Sequence, residues 1–167
     1  MTAPNGTPLA PSSDGPTDMT DTPDSPLCSP WGEDPGDHPL PDYPRPMLER
    51  ERWVSLNGWW EYAVTDATGD RDAPLDDEPV PTRWDDSIRV PFAIESRASG
   101  VERALSPDEV LHYHRRLTLP EEWRGERIVV NFEAVDFRCL VRVDGRVVAH
   151  HEGGYLPFAA ELPDTNL

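Results

Sequence analysis

Acidic side chains are the most abundant groups in this sequence that could do chemistry, since 32 of its 167 residues are Asp or Glu. General acid–base catalysis needs such groups held in a shaped pocket that excludes water. At this abundance, pairs of carboxylates arise by chance, and no spacing singles out one pair. We therefore predict no catalytic residue. The carboxylates weighed as a candidate pair are Glu95, Glu133, Asp136 and Glu152.

Histidines are the second group with possible chemistry, because three imidazole rings can bind zinc. His112 and His114 lie two residues apart on a predicted strand, so both rings should point to one face. His150 and His151 follow in a later predicted strand. No cysteine or carboxylate falls at a spacing that would support such a site, so surface or interdomain polar residues are the simpler interpretation. We predict no metal site and no cofactor.

The cysteines and the apolar segments bear on the compartment in which the protein works. Cys28 and Cys139 lie far apart, and their spacing indicates neither a disulfide framework nor a metal site. One disulfide is possible in principle, but such bonds are rare in reducing compartments. Residues 1–46 contain no apolar segment behind a positive start, and no stretch approaches the roughly 20 apolar residues of a membrane helix. We expect a cytoplasmic protein.

The charge balance limits the classes of ligand. The net charge is −17, and all 15 basic residues are arginine. Nucleic-acid binding needs local positive charge that displaces counterions from phosphates, and anionic membranes attract basic segments in the same way. We therefore predict no nucleic-acid partner and no membrane partner, whereas a neutral ligand or an ordinary protein partner is compatible with this charge.

The candidate residues lie on segments that predict β-structure. In Arg127–Glu133 (RIVVNFE), strand alternation places Ile128, Val130 and Phe132 on one face. In Phe137–Val143 (FRCLVRV), Leu140 is out of phase with the other apolar residues, which predicts that it packs against a neighbouring loop. Further strands are predicted at Trp59–Val64, Ile88–Phe92 and Leu111–Leu119.

Turn signals complete the predicted fold. Asp144-Gly145 joins Val143 to Arg146 and Val147 with a two-residue loop, which is typical of a β-hairpin. No window has a convincing helical period, although Pro107-Asp108-Glu109 could begin a short helical turn. Many short strands separated by loops predict an all-β sandwich of two antiparallel sheets.

The composition changes near residue 46. Residues 1–46 hold twelve of the 20 prolines and a single basic residue, Arg45, and their apolar residues are scattered. Such a segment cannot bury enough surface to offset the entropy of ordering it. We therefore predict a disordered tail over 1–46 and one β-sandwich domain over 47–167.

Seven short motifs, in order, resemble the amino-terminal sugar-binding domain of family 2 glycoside hydrolases, the β-galactosidases, β-glucuronidases and β-mannosidases. The resemblance covers about residues 50–162. Leu111-His112 departs from the family, which more often has an aromatic residue before the tyrosine. The matching segments are Arg52-Trp53 with Leu56–Trp60, Trp84 with Ile88–Phe92, Glu95 to Gly100, Tyr113 to Trp123, Phe132–Asp136, Val143–Gly145 and His151–Phe158 (HEGGYLPF).

The resemblance implies a galactose-binding-like jelly roll that ends before its last strands. In the family, the two catalytic glutamates lie on a (β/α)8 barrel that follows the sandwich domains, and a barrel needs about 250 residues. The resemblance therefore implies a truncated, non-catalytic domain whose parent enzyme hydrolyses O-glycosyl bonds of β-glycosides. It also implies that the substrate contacts lie beyond Leu167, so that the binding residues are unknown, and that the partners are the parent's carbohydrate and its missing C-terminal domains.

Two other functions stay open at this point. A freestanding carbohydrate-binding module would bind a glycan by itself, without a catalytic domain. A non-catalytic interaction protein would act through the acidic, proline-rich segment 1–46, so deletion of that segment would abolish capture of its partner. Fold alone does not decide among these functions.

Overall fold

The computed structural model of the protein describes residues 35–69 and 72–163. No helix among them is long and apolar enough to cross a membrane. Short 3-10 turns lie at Pro46–Leu48, Leu75–Asp77, Arg97–Ser99 and Glu121–Trp123. The strands are β1 (Gly58–Asp66), β2 (Asp86–Val90), β3 (Glu109–His114), β4 (Val129–Phe132), β5 (Arg138–Val143), β6 (Arg146–Glu152) and β7 (Phe158–Glu161).

The first three strands form an antiparallel sheet in the order β2-β1-β3. The register pairs Trp60 with Ile88 and Tyr62 with Tyr113, so Trp60, Tyr62, Val64, Ile88, Leu111 and Tyr113 share one face. Ile88 on this face is completely buried. The opposite face is mostly polar, and its members are Trp59, Glu61, Ala63, Thr65, Ser87, Arg89, Val110, His112 and His114.

The remaining strands form two antiparallel pairs, β4 with β7 and β5 with β6. The β5–β6 hairpin turns at Asp144 and Gly145, which both have positive φ, +48° and +76°. Turns of this kind match the twist of the strands that they join, and Asp and Gly adopt them readily. A register shift between Val141 and Arg142 interrupts the hairpin ladder.

The all-β fold class is confirmed, and each predicted strand is present with shifted ends. The described residues form three small sheets where the sequence predicted two. Ile128, Val130 and Phe132 are half-buried and alternate with exposed neighbours, as predicted. The strand predicted to reach Leu119 ends at His114, and the strand predicted to reach Phe92 ends at Val90, before Pro91.

The helical turn considered at Pro107-Asp108-Glu109 is wrong. Pro107 and Asp108 form a tight turn, and β3 begins directly at Glu109. The backbone N–H of Glu109 donates to the carbonyl of Ser106, and its side chain accepts from the Ser106 N–H. These two bonds close the turn and leave no room for a helix before the strand.

Residues 35–46 also differ from the prediction of a disordered tail. The Trp59 indole donates to Asp37 at 2.9 Å, and the Asn57 amide donates to the carbonyl of Pro39 at 3.2 Å. The Tyr43 ring meets the Trp53 ring edge-on. These hydrogen bonds and ring contacts to the domain offset the entropy lost when residues 35–46 are ordered. The composition of the segment gave no sign of such contacts. Residues 1–34 lie outside the described part, so disorder there stays a prediction.

Candidate functional site

The four candidate carboxylates are scattered over exposed loops and one strand end. Glu95 lies in the loop after β2, and Glu133 forms an exposed ion pair with Arg45 at 3.3 Å. Asp136 follows in the next loop and Glu152 ends β6. All four side chains face solvent, and none lies in a pocket that excludes water. This arrangement lacks the shielded pair that acid–base catalysis requires.

The histidines are likewise held by separate partners. His112 and His114 share the polar face of β3, as predicted, but His112 forms a hydrogen bond with Thr65 and His114 with Glu61 at 2.6 Å. The His114 ring also stacks on Trp84 with centroids 4.8 Å apart. Across residues 35–69 and 72–163, no group of three His, Cys, Asp or Glu side chains could hold a metal ion.

Burial changes the titration of two groups on the first sheet. It lowers the pKa of His112, an effect that the Glu78 charge opposes and the Arg142 charge reinforces. It raises the pKa of Tyr113, helped by the negative charge of Glu95. His112 is therefore favoured in its neutral form, which suits a hydrogen bond to a hydroxyl more than a charged contact.

A segment over 72–78, here called the strap, crosses the β5–β6 hairpin. Arg138 and Arg142 donate to its carbonyls at Ala73 and Asp76, and His150 donates to the Asp76 carboxylate at 2.7 Å. The hydrogen bond from His150 holds the pKa of Asp76 below its ordinary value. Leu140 shares this hairpin face with Arg138 and Arg142, by strand alternation. A contact between Leu140 and a neighbouring loop stays a prediction.

Trp59 and Trp60, the tryptophan pair of the opening motif, lie on opposite faces of β1. The Arg89 guanidinium lies over the Trp59 ring at 4.5 Å from its centroid. The Trp60 indole donates to the Leu56 carbonyl at 2.8 Å, and Arg115 donates to the same carbonyl at 2.7 Å. These contacts hold the chain in place where it enters β1, so the residues of the motif stabilise the fold.

The HEGGYLPF motif builds a fixed loop between β6 and β7. The Phe158 ring stacks on Phe132 at 4.7 Å and on His151 at 4.1 Å, with nearly parallel planes. His151 donates to the Gly153 carbonyl at 2.9 Å. A Cβ on Gly154 would lie 2.6 Å from a carboxylate oxygen of Asp136, so a larger residue there requires the Asp136 side chain to move. The turn of this loop is formed by Gly154 and Tyr155.

The same loop carries exposed apolar residues, and the sequence analysis did not predict their exposure. Tyr155 is 96% exposed, Leu156 is 66% exposed, and Phe137 on the facing loop is 58% exposed. The signal available was the pair of apolar residues between the glycines and Pro157. Alternation alone cannot tell a loop residue that is buried from one that faces water.

Comparison with known proteins identifies the relatives of the chain. The β-glucuronidase of Felis catus is 31% identical over 138 residues, and that of Canis lupus familiaris is 33% identical over 138 residues. Each match covers 72% of this chain and 19% of the relative. The chain belongs to glycoside hydrolase family 2. No protein-family model matches it.

The part of the family 2 enzymes that this chain spans is small. It covers about a fifth of the length of the curated relatives that it matches. Among solved structures, the β-glucuronidase of Faecalibacterium prausnitzii is similar with a TM-score of 0.49 and 26% identity, over 68% of this chain and 19% of that one.

Proposed function

We propose that this chain is a non-catalytic, sugar-binding domain of a family 2 enzyme that hydrolyses O-glycosyl bonds of β-glycosides. The observation that carries the proposal is the match to β-glucuronidases over 72% of this chain and only 19% of their length. The relatives' names make β-glucuronides the first substrate class to test. The role assigned to this domain is to support the catalytic part and to contact carbohydrate.

The scattered carboxylates support a non-catalytic role. Retaining glycosidases hold their two carboxyl groups about 5 Å apart and inverting ones about 6.5–9.5 Å apart, on either side of the bond. Here Glu133 is neutralised by an exposed arginine, and Glu95 lies in a different loop, near Tyr113. Among the described residues, no two carboxyl groups that are shielded from water form either the retaining or the inverting arrangement.

The partners of the domain follow from the same proposal. They are the β-glycoside bound by the whole enzyme and the further domains that its relatives contain. No feature of the described residues favours nucleic acid or a membrane, and the charge of −17 opposes both. A cytoplasmic location stays a prediction.

The test is a hydrolysis assay on the purified chain with 4-nitrophenyl β-D-glucuronide and 4-nitrophenyl β-D-galactoside. We expect no release of nitrophenol above the buffer rate. The variants Glu95→Gln and Glu152→Gln serve as controls for contamination, because a contaminating hydrolase would be unaffected by either. Turnover that disappears in one of these variants would contradict the proposal.

A further inference from the structure

The segment over residues 47–54 (MLERERWV) crosses the surface of the domain shortly before β1. Seven of its eight residues are exposed, and Trp53 is half-buried. Met47 is 92% exposed, Leu48 is 73% exposed and Val54 is 57% exposed. Large apolar side chains that face water within one short segment commonly mark a binding surface.

This segment is held to the domain near both of its ends. The N–H of Leu48 donates to the Arg45 carbonyl at 2.8 Å, and Arg45 pairs with Glu133 at 3.3 Å. Near the other end, Arg52 pairs with Glu126 at 3.2 Å. Because the chain is already positioned, a molecule that binds here loses less free energy in ordering it.

The middle of the segment makes no contact of this kind. The side chains of Glu49, Arg50 and Glu51 form no hydrogen bond or ion pair with residues 35–69 or 72–163. The backbone N–H and C=O groups of residues 49–54 form no hydrogen bond with the same part of the chain. A second molecule can therefore bind these groups without breaking a contact that the described residues make with them.

The order of residue types in the segment is complementary to itself when two copies run antiparallel. In a two-fold symmetric pair, each contact of residue i with residue j occurs twice, once from each copy. With the axis between positions 50 and 51, Arg50 faces Glu51 of the second copy, and Glu49 faces Arg52. The guanidinium of Arg52 has five N–H donors, so it can bind this glutamate and Glu126 together. The same register pairs apolar residues, Met47 with Val54 and Leu48 with Trp53.

The charge of the segment also favours a second copy. Residues 47–54 contain two glutamates and two arginines, so their net charge is zero within a chain of charge −17. Two such chains repel each other over most of their surfaces, and a neutral segment lets them approach. Opposite charges that face each other across an antiparallel pair stabilise it, whereas like charges destabilise it. An axis at Arg50 itself would place Glu49 opposite Glu51, so the alternation of charge specifies one register.

We propose that residues 47–54 are a contact surface for a second copy of this chain, in an antiparallel pair with two-fold symmetry. Alternating ion pairs lie at the centre of the contact, and apolar residues lie at both of its ends. The backbone bends at Glu51 and Arg52, so the contact is made by side chains on two short arms and not along one straight ladder. The proposal goes beyond the proposed function and does not rest on it, since no glycoside takes part in the contact.

The first test is sedimentation equilibrium of the full chain. The concentrations run from about 5 μM to about 1 mM, which brackets a Kd on the order of 0.1 mM. We expect the mean mass to rise with concentration from 18.8 kDa towards twice that value. A mass that stays at 18.8 kDa up to about 1 mM, ten times the expected Kd, would overturn the proposal.

Exchange of charge at the centre of the contact tests the register. Arg50→Glu places two negative charges opposite each other, and Glu51→Arg places two positive charges opposite each other. Each variant alone should self-associate at least about tenfold more weakly than the wild type. An equimolar mixture of the two variants restores opposite charges at both positions, so it should form a mixed pair about as tightly as the wild type does. Arg83→Glu, at an exposed arginine outside the segment, makes the same change of charge and should alter the Kd by less than about twofold.

The apolar ends of the contact have their own matched pair of variants. Leu48→Ser should weaken self-association, whereas Leu156→Ser, at an exposed leucine in the loop between β6 and β7, should leave it unchanged. Association recovered in the charge-exchange mixture also shows that both of those variants fold. Self-association of Arg50→Glu as tight as that of the wild type, a mixture that stays monomeric, or a loss caused by Leu156→Ser would each overturn the proposal.

Discussion

The first sheet and the region over β4–β7 are built in different ways. Ile88 and Ala63 on the first sheet and Ile94 beside it are nearly inaccessible to solvent, whereas Ala160 is the fully buried apolar residue of β4–β7 in the described chain. The second region instead exposes large apolar side chains in its loops. The comparison indicates that the first sheet supplies most of the stability.

Truncation of the first sheet's core should have the largest effect. Ile88 is completely buried against β1, so Ile88→Ala leaves a cavity and should lower the free energy of unfolding by about 3 kcal/mol. Val80→Ala, exposed and outside the strands, is the matched control and should change it by less than about 0.5 kcal/mol. Urea unfolding followed by tryptophan fluorescence measures both. Equal effects would remove the distinction between core and surface.

A substitution in the second region should have a smaller effect with a specific rescue. Gly154→Ala places a Cβ against Asp136, and the overcrowding should cost about 1–2 kcal/mol. The double variant Gly154→Ala with Asp136→Ala should recover most of this loss, because the carboxylate that collides has been removed. Thermal unfolding of the four chains gives the coupling. Purely additive losses would show that the two loops do not meet.

The smallest expected effect is on pH dependence, at the polar face of the first sheet. Burial lowers the pKa of His112 in the folded chain below that of the unfolded chain. Neutral His112 therefore contributes fully to stability above the ordinary histidine pKa of about 6.5. This contribution is lost as the pH falls through the lower pKa that His112 has in the folded chain. His112→Gln should flatten the loss of stability between pH 7.5 and 5.

The matched control for this titration is Val80→Ala, at an exposed residue that carries no titratable group. It should leave the pH profile of stability unchanged. If the His112→Gln profile stays as steep as that of the wild type, another group controls the acid side and the assignment to His112 is wrong.

The local elements of the fold followed from the sequence because they depend on near neighbours. Alternation placed Ile128, Val130 and Phe132 on one face, and Asp144-Gly145 supplied the two positive φ values of the hairpin turn. In each case, the physical cause lies within a few residues of the side chain concerned.

Features that depend on distant contacts were not predictable. Residues 35–46 are anchored by Trp59 and Asn57, and composition carries no information on such partners. The strap is held by Arg138, Arg142 and His150, more than 60 residues further along the chain. The motif residues of the candidate site were found by resemblance, but the exposure of Tyr155 required the structure, since it depends on what packs over the loop.

The difference between the two regions can be measured directly by amide hydrogen exchange of the full chain under native conditions. Strand β1 bonds to a partner on both sides, so its amides should exchange most slowly, at a rate set by global unfolding. The amides of Gly154, Tyr155 and Leu156 donate no hydrogen bond to the described residues, so they should exchange fastest within the β-region. Slower exchange in β4–β7 than in β1, or one uniform rate, would contradict the account.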